Sequence, residues 1–134
     1  MGLRLRRLGK INCTITFGVV VMVNQMAVDR FGIVHVCGEV DVSNVNDLRA
    51  AVRDAVNDSS EGLLIDLSDV CYMDSAGLAA IIAAYKQISM RGGKIALIVK
   101  NDTIRGLLDL IHLDMLPGLF ILDDMNSARR ILSN

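Results

Sequence analysis

The chain has 134 residues, of which 52% are apolar and 22% are charged, a composition typical of one globular domain with a single hydrophobic core. Fourteen basic and fifteen acidic residues leave a net charge of −1, so no strong positive field favours direct binding of nucleic acid. Two tyrosines, three phenylalanines and no tryptophan also provide few surfaces on which single-stranded bases would stack.

The three cysteines and the first residues of the chain bear on its location. Cys13, Cys37 and Cys71 fit neither a disulfide framework nor a C-x-x-C metal site, which favours a reducing cytoplasm. Basic residues precede an apolar run at 11–23, as in a signal peptide, but polar residues interrupt this run and no cleavage motif follows. It is also shorter than the about 20 residues that span a bilayer. We therefore expect no export and no membrane contact, and an irregular N-terminal extension over residues 1–25 that leads into the first strand.

The first half of the chain predicts strands and one helix. Residues 19–28 and 33–36 are rich in β-branched side chains and predict a hairpin joined at 29–32. Ser43 or Asn44 then caps a helix, and the continuous apolar run at 62–67 predicts a strand buried on both faces. The apolar side of this helix is predicted to comprise Val45, Leu48, Val52 and Val56.

The second half alternates helices and strands. A helix begins at Asp74 or Ser75 and ends at 91–93, a strand covers 94–99, and a helix begins at Asn101 or Asp102. A last strand at 119–122 precedes a helix that starts at Asp123 or Asp124. The predicted apolar stripes are Leu78, Ile81, Ile82, Tyr85 and Ser89 with Ile88 at the edge, then Ile104, Leu107, Leu108 and Ile111, then Ala128, Ile131 and Leu132. This order predicts an α/β domain that starts with a β-hairpin and continues with a mostly parallel central sheet covered by helices.

The segment V-C-Y-M-D-S-A-G-L at 70–78 leads from a buried strand into a helix. Ser75 should therefore lie at the carboxyl edge of the sheet, where partners and ligands tend to bind. Its hydroxyl is expected among unpaired backbone N–H groups, which favour a phosphate by about 0.3–1 kcal/mol, whereas Asp74 opposes one. The local residues alone favour a plain helix cap formed by Asp74 and Ser75.

Together with G-E-V-D at 38–41 and Y-K-Q at 85–87, this segment resembles the STAS domain of bacterial anti-sigma factor antagonists. That family typically shows G-E-[LIV]-D and, later, [FY]-[MIL]-D-S-[ST]-G-[LIV]. The resemblance covers residues 26–134, which are therefore expected to form the STAS domain. It implies a cytoplasmic partner-switching protein of transcription regulation. The unphosphorylated form would bind an ATP-dependent anti-sigma factor serine kinase and free the sigma factor. Phosphorylation of Ser75 would switch it off, and a serine phosphatase would reset it.

The resemblance also implies which residues contact the partner. They are Asp41, Asp74, Ser75, Ala76, Gly77 and Leu78. Ala76 stands where the family usually has serine or threonine, which leaves Ser75 as the unambiguous acceptor in the motif. Asp41 is expected beside the Ser75 loop and serves equally as a turn residue that caps the backbone. Nucleotide and metal would come from the partner, so no catalytic residue, cofactor or metal site is expected in this chain.

Two alternatives stay open. One is a STAS accessory module of a transport or stress-signalling complex, because fold alone does not fix function. The other is a small redox or hydrolytic enzyme that uses Cys71 or Ser75. Against it, Asp66 and Asp69 lack an accompanying histidine, lysine or phosphate-binding loop in the sequence. Cys71 is expected to be a buried, inert thiol, and His35 and His112 are expected to be structural.

Overall fold

The computed structural model describes residues 4–8, 11–16, 19–24, 31–58 and 62–133, with side chains described at 31–57 and 62–132. Seven strands form one sheet in sequence order, and the predicted turn at 29–32 lies partly outside the described residues. The strands are β1 (Arg4–Leu8), β2 (Ile11–Thr16), β3 (Val19–Asn24), β4 (Phe31–Val40), β5 (Gly62–Met73), β6 (Lys94–Ile98) and β7 (Leu119–Leu122). The helices are α1 (Val45–Asp58), α2 (Ser75–Met90), α3 (Asp102–Leu110) and α4 (Met125–Ser133), with a 3₁₀ turn at Leu113–Met115.

The sheet has an antiparallel half and a parallel half. Strands β1 to β4 pair antiparallel, and β4 to β7 pair parallel. Because the parallel strands follow one another across the sheet, right-handed crossovers carry α1, α2 and α3 over the same face. The helix α4 packs on the other face. The predicted α/β class is confirmed, with a hairpin start followed by alternating strands and helices, and parallel pairing is confined to β4–β7.

Two apolar clusters stabilise the domain, one on each face of the sheet. The larger joins α1, α2 and α3 to the sheet and includes Leu48, Ile65, Ile81, Leu97 and Ile104. The smaller lies under α4 and comprises Phe31, Ile33, Leu64, Ala96, Ile98, Ala128 and Leu132. Since successive residues of a strand point to opposite faces, β5 supplies Leu64 to one cluster and Ile65 to the other. This explains why Leu63, Leu64 and Ile65 are apolar without alternation.

The start of the chain differs from the prediction. Residues 4–8 and 11–16 are strands rather than an irregular extension, and β2 pairs with β3 from Ile11↔Asn24 to Thr16↔Val19. The β-branched residues at 11, 14, 15 and 16 suit a strand, and polar residues among them are compatible with one whose two faces differ. The division between residues 1–25 and 26–134 stays a prediction.

The buried face of α2 is also different from the predicted stripe. It consists of Gly77, Ala80, Ile81, Ala84 and Ile88, whereas Ser89 is exposed and Leu78, Ile82 and Tyr85 are half-buried. Small residues let this helix approach the sheet closely. A Cβ added at Gly77 would lie 2.6 Å from Met73 Cγ and 3.0 Å from Val40 Cγ1. Side-chain volume, rather than hydrophobicity alone, therefore decides which face of α2 is buried.

The apolar side of α3 differs from the prediction only at the end of the helix. Asn101 caps this helix as predicted, because its Oδ1 accepts hydrogen bonds from Thr103 N and Ile104 N. Ile104 and Leu108 are buried, but Ile111 is 41% exposed, since it is the C-terminal cap of a helix that ends at Leu110. The predicted apolar stripe is therefore one position too long.

Candidate functional site

The site predicted around Ser75 lies where β4 and β5 end side by side. Val40 and Met73 are paired in the parallel ladder, so Asp41 and Asp74 follow at the same edge of the sheet. The backbone N–H of Asp74 donates to the carbonyl of Val40, with an N···O distance of 3.1 Å. The two sequence motifs, G-E-V-D and Y-M-D-S-A-G-L, are thus brought together by strand pairing.

Asp74 connects two segments with one carboxylate. Its Oδ1 accepts hydrogen bonds from the backbone N–H groups of Ala76 at 2.9 Å and Gly77 at 3.3 Å, which makes it the N-cap of α2. Its Oδ2 accepts a hydrogen bond from the N–H of Val42 at 3.2 Å. The same side chain therefore holds the start of α2 and the loop between β4 and α1 in a fixed relation.

Asp41 organises that loop from the other side. Its Oδ1 accepts hydrogen bonds from the N–H and the hydroxyl of Ser43. These bonds, the hydroxyl first, hold the pKa of Asp41 below its ordinary value of 3.8. Next to it, buried Asn44 accepts from Asp41 N at 2.9 Å and donates to the carbonyl of Glu39 at 2.9 Å. Asp41 is thus a turn-forming residue. Its loop is connected to Asp74 by the hydrogen bond that Val42 N–H donates to the Asp74 carboxylate.

Ser75 is exposed and is the first residue of α2. The expectation that its hydroxyl lies among unpaired N–H groups is wrong for Ala76 and Gly77, because both donate to Asp74. An anion on Ser75 would therefore meet a carboxylate that already occupies these donors. Of the three residues that follow, Ala76 and Leu78 are half-buried and Gly77 is buried against Met73.

Two apolar side chains flank this end of α2 on the surface. Val42 is 76% exposed and Tyr72 is 51% exposed. Val42 belongs to the loop that Asp74 holds, and Tyr72 lies three residues before Ser75 on β5. A partly apolar surface that contains a tyrosine is typical of the centre of a protein–protein contact.

Cys71 does not match its predicted environment. Its thiol is exposed rather than buried. The cause lies in the β4–β5 ladder, where Gly38 pairs with Val70 but Glu39 pairs with Tyr72, so Cys71 is an extra residue of β5 at an irregularity. Gly38 has a φ of 86°, a conformation that glycine adopts readily, which explains the first residue of the G-E-V-D motif.

Sequence reasoning missed a polar group that we call the His35 cluster: His35, Cys37, Asp66 and Asp69. His35 Nδ1 lies 3.2 Å from Asp66 Oδ2, and His35 Nε2 lies 2.8 Å from Asp69 Oδ2. Cys37 Sγ lies 4.0 Å from Asp69 Oδ2. The expectation that no histidine accompanies Asp66 and Asp69 is therefore wrong, because His35 reaches them from the neighbouring strand β4 although it is distant in sequence.

Within the described parts of the chain, no helix combines the length and apolar character needed to cross a membrane.

Comparison with known proteins shows which family the chain resembles. The model of the STAS domain family matches residues 23–123. An anti-sigma-B factor antagonist of Staphylococcus aureus is 29% identical over 92 residues, which cover 64% of this chain and 85% of that protein. An anti-sigma F factor antagonist of Paenibacillus polymyxa is 32% identical over 79 residues, covering 58% and 68%.

A solved structure extends the similarity to the fold. The crystal structure of an anti-sigma factor antagonist from Mycobacterium paratuberculosis superposes with a TM-score of 0.75 at 26% identity, covering 87% of this chain and 95% of that one. The resemblance carried by the G-E-V-D and D-S-x-G motifs is confirmed, and the chain belongs to the STAS domain family.

Proposed function

We propose that this chain is an anti-sigma factor antagonist that binds an ATP-dependent anti-sigma factor serine kinase through the surface around Ser75. In this proposal the unphosphorylated chain occupies the kinase and thereby frees a sigma factor. Phosphorylation of Ser75 ends the contact, and a serine phosphatase restores it. The chain is a regulatory binding protein, and its partner performs the chemistry.

The observation that carries the proposal is the position of Ser75. Its side chain is exposed on the first turn of α2, and the backbone around it is held by Asp74 through Ala76, Gly77 and Val42. A kinase can therefore reach the hydroxyl without unfolding the domain. The names of the relatives from S. aureus and P. polymyxa support the choice of an anti-sigma factor as the partner.

The reaction is an ordinary phosphoryl transfer. Ser75 Oγ forms a bond to the γ-phosphorus of ATP held by the kinase, the bond from that phosphorus to the bridging oxygen breaks, and ADP leaves. The hydroxyl proton passes to a base on the kinase. Nothing in this chain needs to supply nucleotide, metal or base.

The effect of the phosphate follows from what surrounds it. It adds about 1.5–2 negative charges next to Asp74, and the nearest helix N–H groups already donate to that carboxylate. The phosphate therefore stays in water and leaves the fold unchanged. An interface that covers Ser75 would have to strip water from this charge without a cation to pair with it, which opposes binding.

The test has two stages. First, the tagged chain is used to capture partners from a lysate of its source with and without added ATP, and mass spectrometry identifies the kinase and the phosphorylated residue. Second, the purified kinase is titrated with wild type, Ser75→Ala, Ser75→Asp and the control Ser89→Asp. Ser89 is also exposed on α2 but lies at its other end.

Ser75→Ala should bind with wild-type affinity and resist phosphorylation, whereas Ser75→Asp should bind at least about thirty-fold more weakly, equivalent to about 2 kcal/mol. Ser89→Asp should bind like wild type. Equal binding by Ser75→Asp and Ser89→Asp, or a phosphate on another residue, would refute the role of Ser75.

A further inference from the structure

The His35 cluster lies away from the Ser75 surface, on the face of the sheet opposite α1, α2 and α3. Alternation along β4 puts His35 and Cys37 on the same face as Phe31 and Ile33, which pack in the cluster under α4. Asp66 and Asp69 come from β5. Four side chains that commonly bind metals therefore meet beyond the apolar residues that α4 covers.

A register shift brings them together. His35 pairs with Asp66, but Cys37 pairs with Asp69, so three steps along β5 match two steps along β4. In a regular ladder Cys37 would face Ser68, and Asp69 would point to the opposite side of the sheet. The bulge instead turns Asp69 towards His35. Asp66 supports the bulge, because its Oδ1 accepts a hydrogen bond from Ser68 N at 2.9 Å.

We propose that His35 Nε2, Cys37 Sγ and Asp69 Oδ2 form a binding site for Zn²⁺, with a fourth position open to water. One ring nitrogen of His35, the Cys37 sulfur and one carboxylate oxygen of Asp69 all lie within 4.8 Å of one another, with Asp69 Oδ2 2.8 Å from His35 Nε2 and 4.0 Å from Cys37 Sγ. An imidazole, a thiolate and a carboxylate together suit zinc, which takes mixed nitrogen, sulfur and oxygen ligands in tetrahedral sites. Mg²⁺ and Ca²⁺ prefer oxygen ligands only, so the thiolate argues against them.

Asp66 provides the buried carboxylate that would orient His35 as a metal ligand. Its carboxylate is buried, with 7% of the residue exposed, and it lies 3.2 Å from His35 Nδ1. A carboxylate that accepts a hydrogen bond from the second nitrogen of a metal-binding histidine fixes the tautomer and the ring orientation. When the ion binds, a proton on Nδ1 that is donated to Asp66 leaves the lone pair of His35 Nε2 to the metal, which replaces the 2.8 Å contact between Nε2 and Asp69.

Only a small rearrangement is required for the ion to enter. Zinc bonds of about 2.0–2.3 Å place tetrahedral ligands about 3.3–3.7 Å apart. The pair His35 Nε2 and Asp69 Oδ2, now 2.8 Å apart, must separate by a few tenths of an ångström, and Cys37 Sγ must approach Asp69 from 4.0 Å. The side chain of Asp69 is 61% exposed and can make this movement without disturbing the core.

Cobalt provides a direct readout, because Co²⁺ bound to a thiolate absorbs in the near ultraviolet and a tetrahedral site gives intense visible bands. The purified full chain, stripped with a chelator and kept reduced, is titrated with Co²⁺ and then with Zn²⁺. We expect one ion per chain, a thiolate-to-cobalt band, its loss when zinc displaces cobalt, and a higher melting temperature with zinc.

Variants assign the ligands. Cys37→Ser should abolish the thiolate band, and His35→Gln and Asp69→Asn should each weaken zinc binding at least about a hundred-fold, whereas Asp66→Asn should weaken it about 10–100-fold. Cys13→Ser, Cys71→Ser and His112→Gln are the matched controls and should bind zinc like wild type. Circular dichroism of each variant in chelator verifies that it folds before the metal is added.

The proposal fails if the folded chain gives no thiolate band at saturating cobalt. It also fails if the band survives in Cys37→Ser or disappears in Cys13→Ser or Cys71→Ser. The site shares no ligand with the Ser75 surface, so a negative result here leaves the proposed function untouched, and the converse also holds.

Discussion

The two ends of α2 are built in different ways. At the N-terminal end, the Asp74 side chain reaches across to the loop after β4 as well as capping its own helix. At the C-terminal end, the backbone closes the helix by itself, since Arg91 N and Gly93 N both donate to the carbonyl of Ile88 and Gly92 has a φ of 73°. Loss of the capping side chain should therefore matter at the first end, whereas the second end has no side-chain cap to lose, and its Arg91 side chain donates instead to the carbonyl of Val56 in α1 at 2.8 Å. A surface recognised by a partner needs a fixed geometry, which the hydrogen bonds of Asp74 give the first end.

Partner binding should give the largest contrast between the two ends. Val42→Asp puts a charge into the proposed interface beside Asp74, whereas Met90→Asp changes a side chain that is 87% exposed at the far end of α2. We expect Val42→Asp to weaken binding of the kinase at least about thirty-fold and Met90→Asp to leave it unchanged. Isothermal titration calorimetry measures both. Comparable losses in the two variants would mean that the interface is not confined to the N-terminal end.

Packing under the first turn of α2 should give the next largest effect. A Cβ at Gly77 would lie 2.6 Å from Met73 Cγ, whereas a Cβ at Gly106, in the middle of α3, meets nothing within 4 Å. Gly77→Ala should lower the free energy of unfolding by about 1–3 kcal/mol. Gly106→Ala should raise it by about 0.5–1 kcal/mol, because alanine is the better helix former. Urea unfolding measures both free energies. If Gly77→Ala stabilises the chain, the close approach of α2 to Met73 does not require a glycine at this position.

Removing the cap of α2 should cost somewhat less. Asp74→Ala takes away the acceptor for Ala76, Gly77 and Val42, and we expect the free energy of unfolding to fall by about 0.5–2 kcal/mol. Asp74→Asn keeps a side-chain acceptor and should lose less. Ser89→Ala, at the end closed by backbone, should stay within about 0.5 kcal/mol of wild type. If Asp74→Ala and Ser89→Ala unfold at the same urea concentration, the proposed asymmetry between the ends is wrong.

The smallest expected effect concerns the loop that Asp74 holds. Ser43→Ala removes the hydroxyl that is the main cause of the low pKa of Asp41, so this pKa should rise towards 3.8. Because the pKa in the folded chain is below the ordinary value, ionised Asp41 stabilises the fold above that value. The contribution is lost as the pH falls through the folded-state pKa, and Ser43→Ala should reduce it. NMR titration of the carboxyl carbon measures the pKa.

Asp124 serves as the control for that titration. Its pKa is also lowered, chiefly by the backbone N–H of Ser127, and Ser43→Ala should leave it unchanged. A pKa of Asp41 that does not respond to the loss of the Ser43 hydroxyl would mean that the loop is held together in another way.

Local sequence patterns were sufficient for the order of elements from β3 onwards and for the Ser75 motif. The capping residues Asp74 and Asn101 act within a few residues of their own position, and so do the glycines that end α2. For the same reason the loop around Asp41 was recognisable as a turn. Such signals depend on short-range hydrogen bonds and backbone dihedral angles, which neighbouring residues determine.

Hydrophobic periodicity alone predicted the wrong burial for several helix residues. Ser89 and Ile111 fall on the predicted apolar stripes of their helices but are exposed, while Gly77 and Ala80 are buried. The close approach of α2 to Met73 selects small residues for the contact, and a periodic pattern of large apolar residues does not reveal it.

The sequence by itself determined the α/β order from β3 onwards, the family and the position of the serine at the start of α2, because motifs and caps are local. Only the tertiary structure decided that Cys71 is exposed and that His35 meets Asp66 and Asp69. Both depend on extra residues of β5 in its ladder with β4. Strand register is a long-range property, since it is set by pairing between segments about thirty residues apart, and no spacing within either strand encodes it.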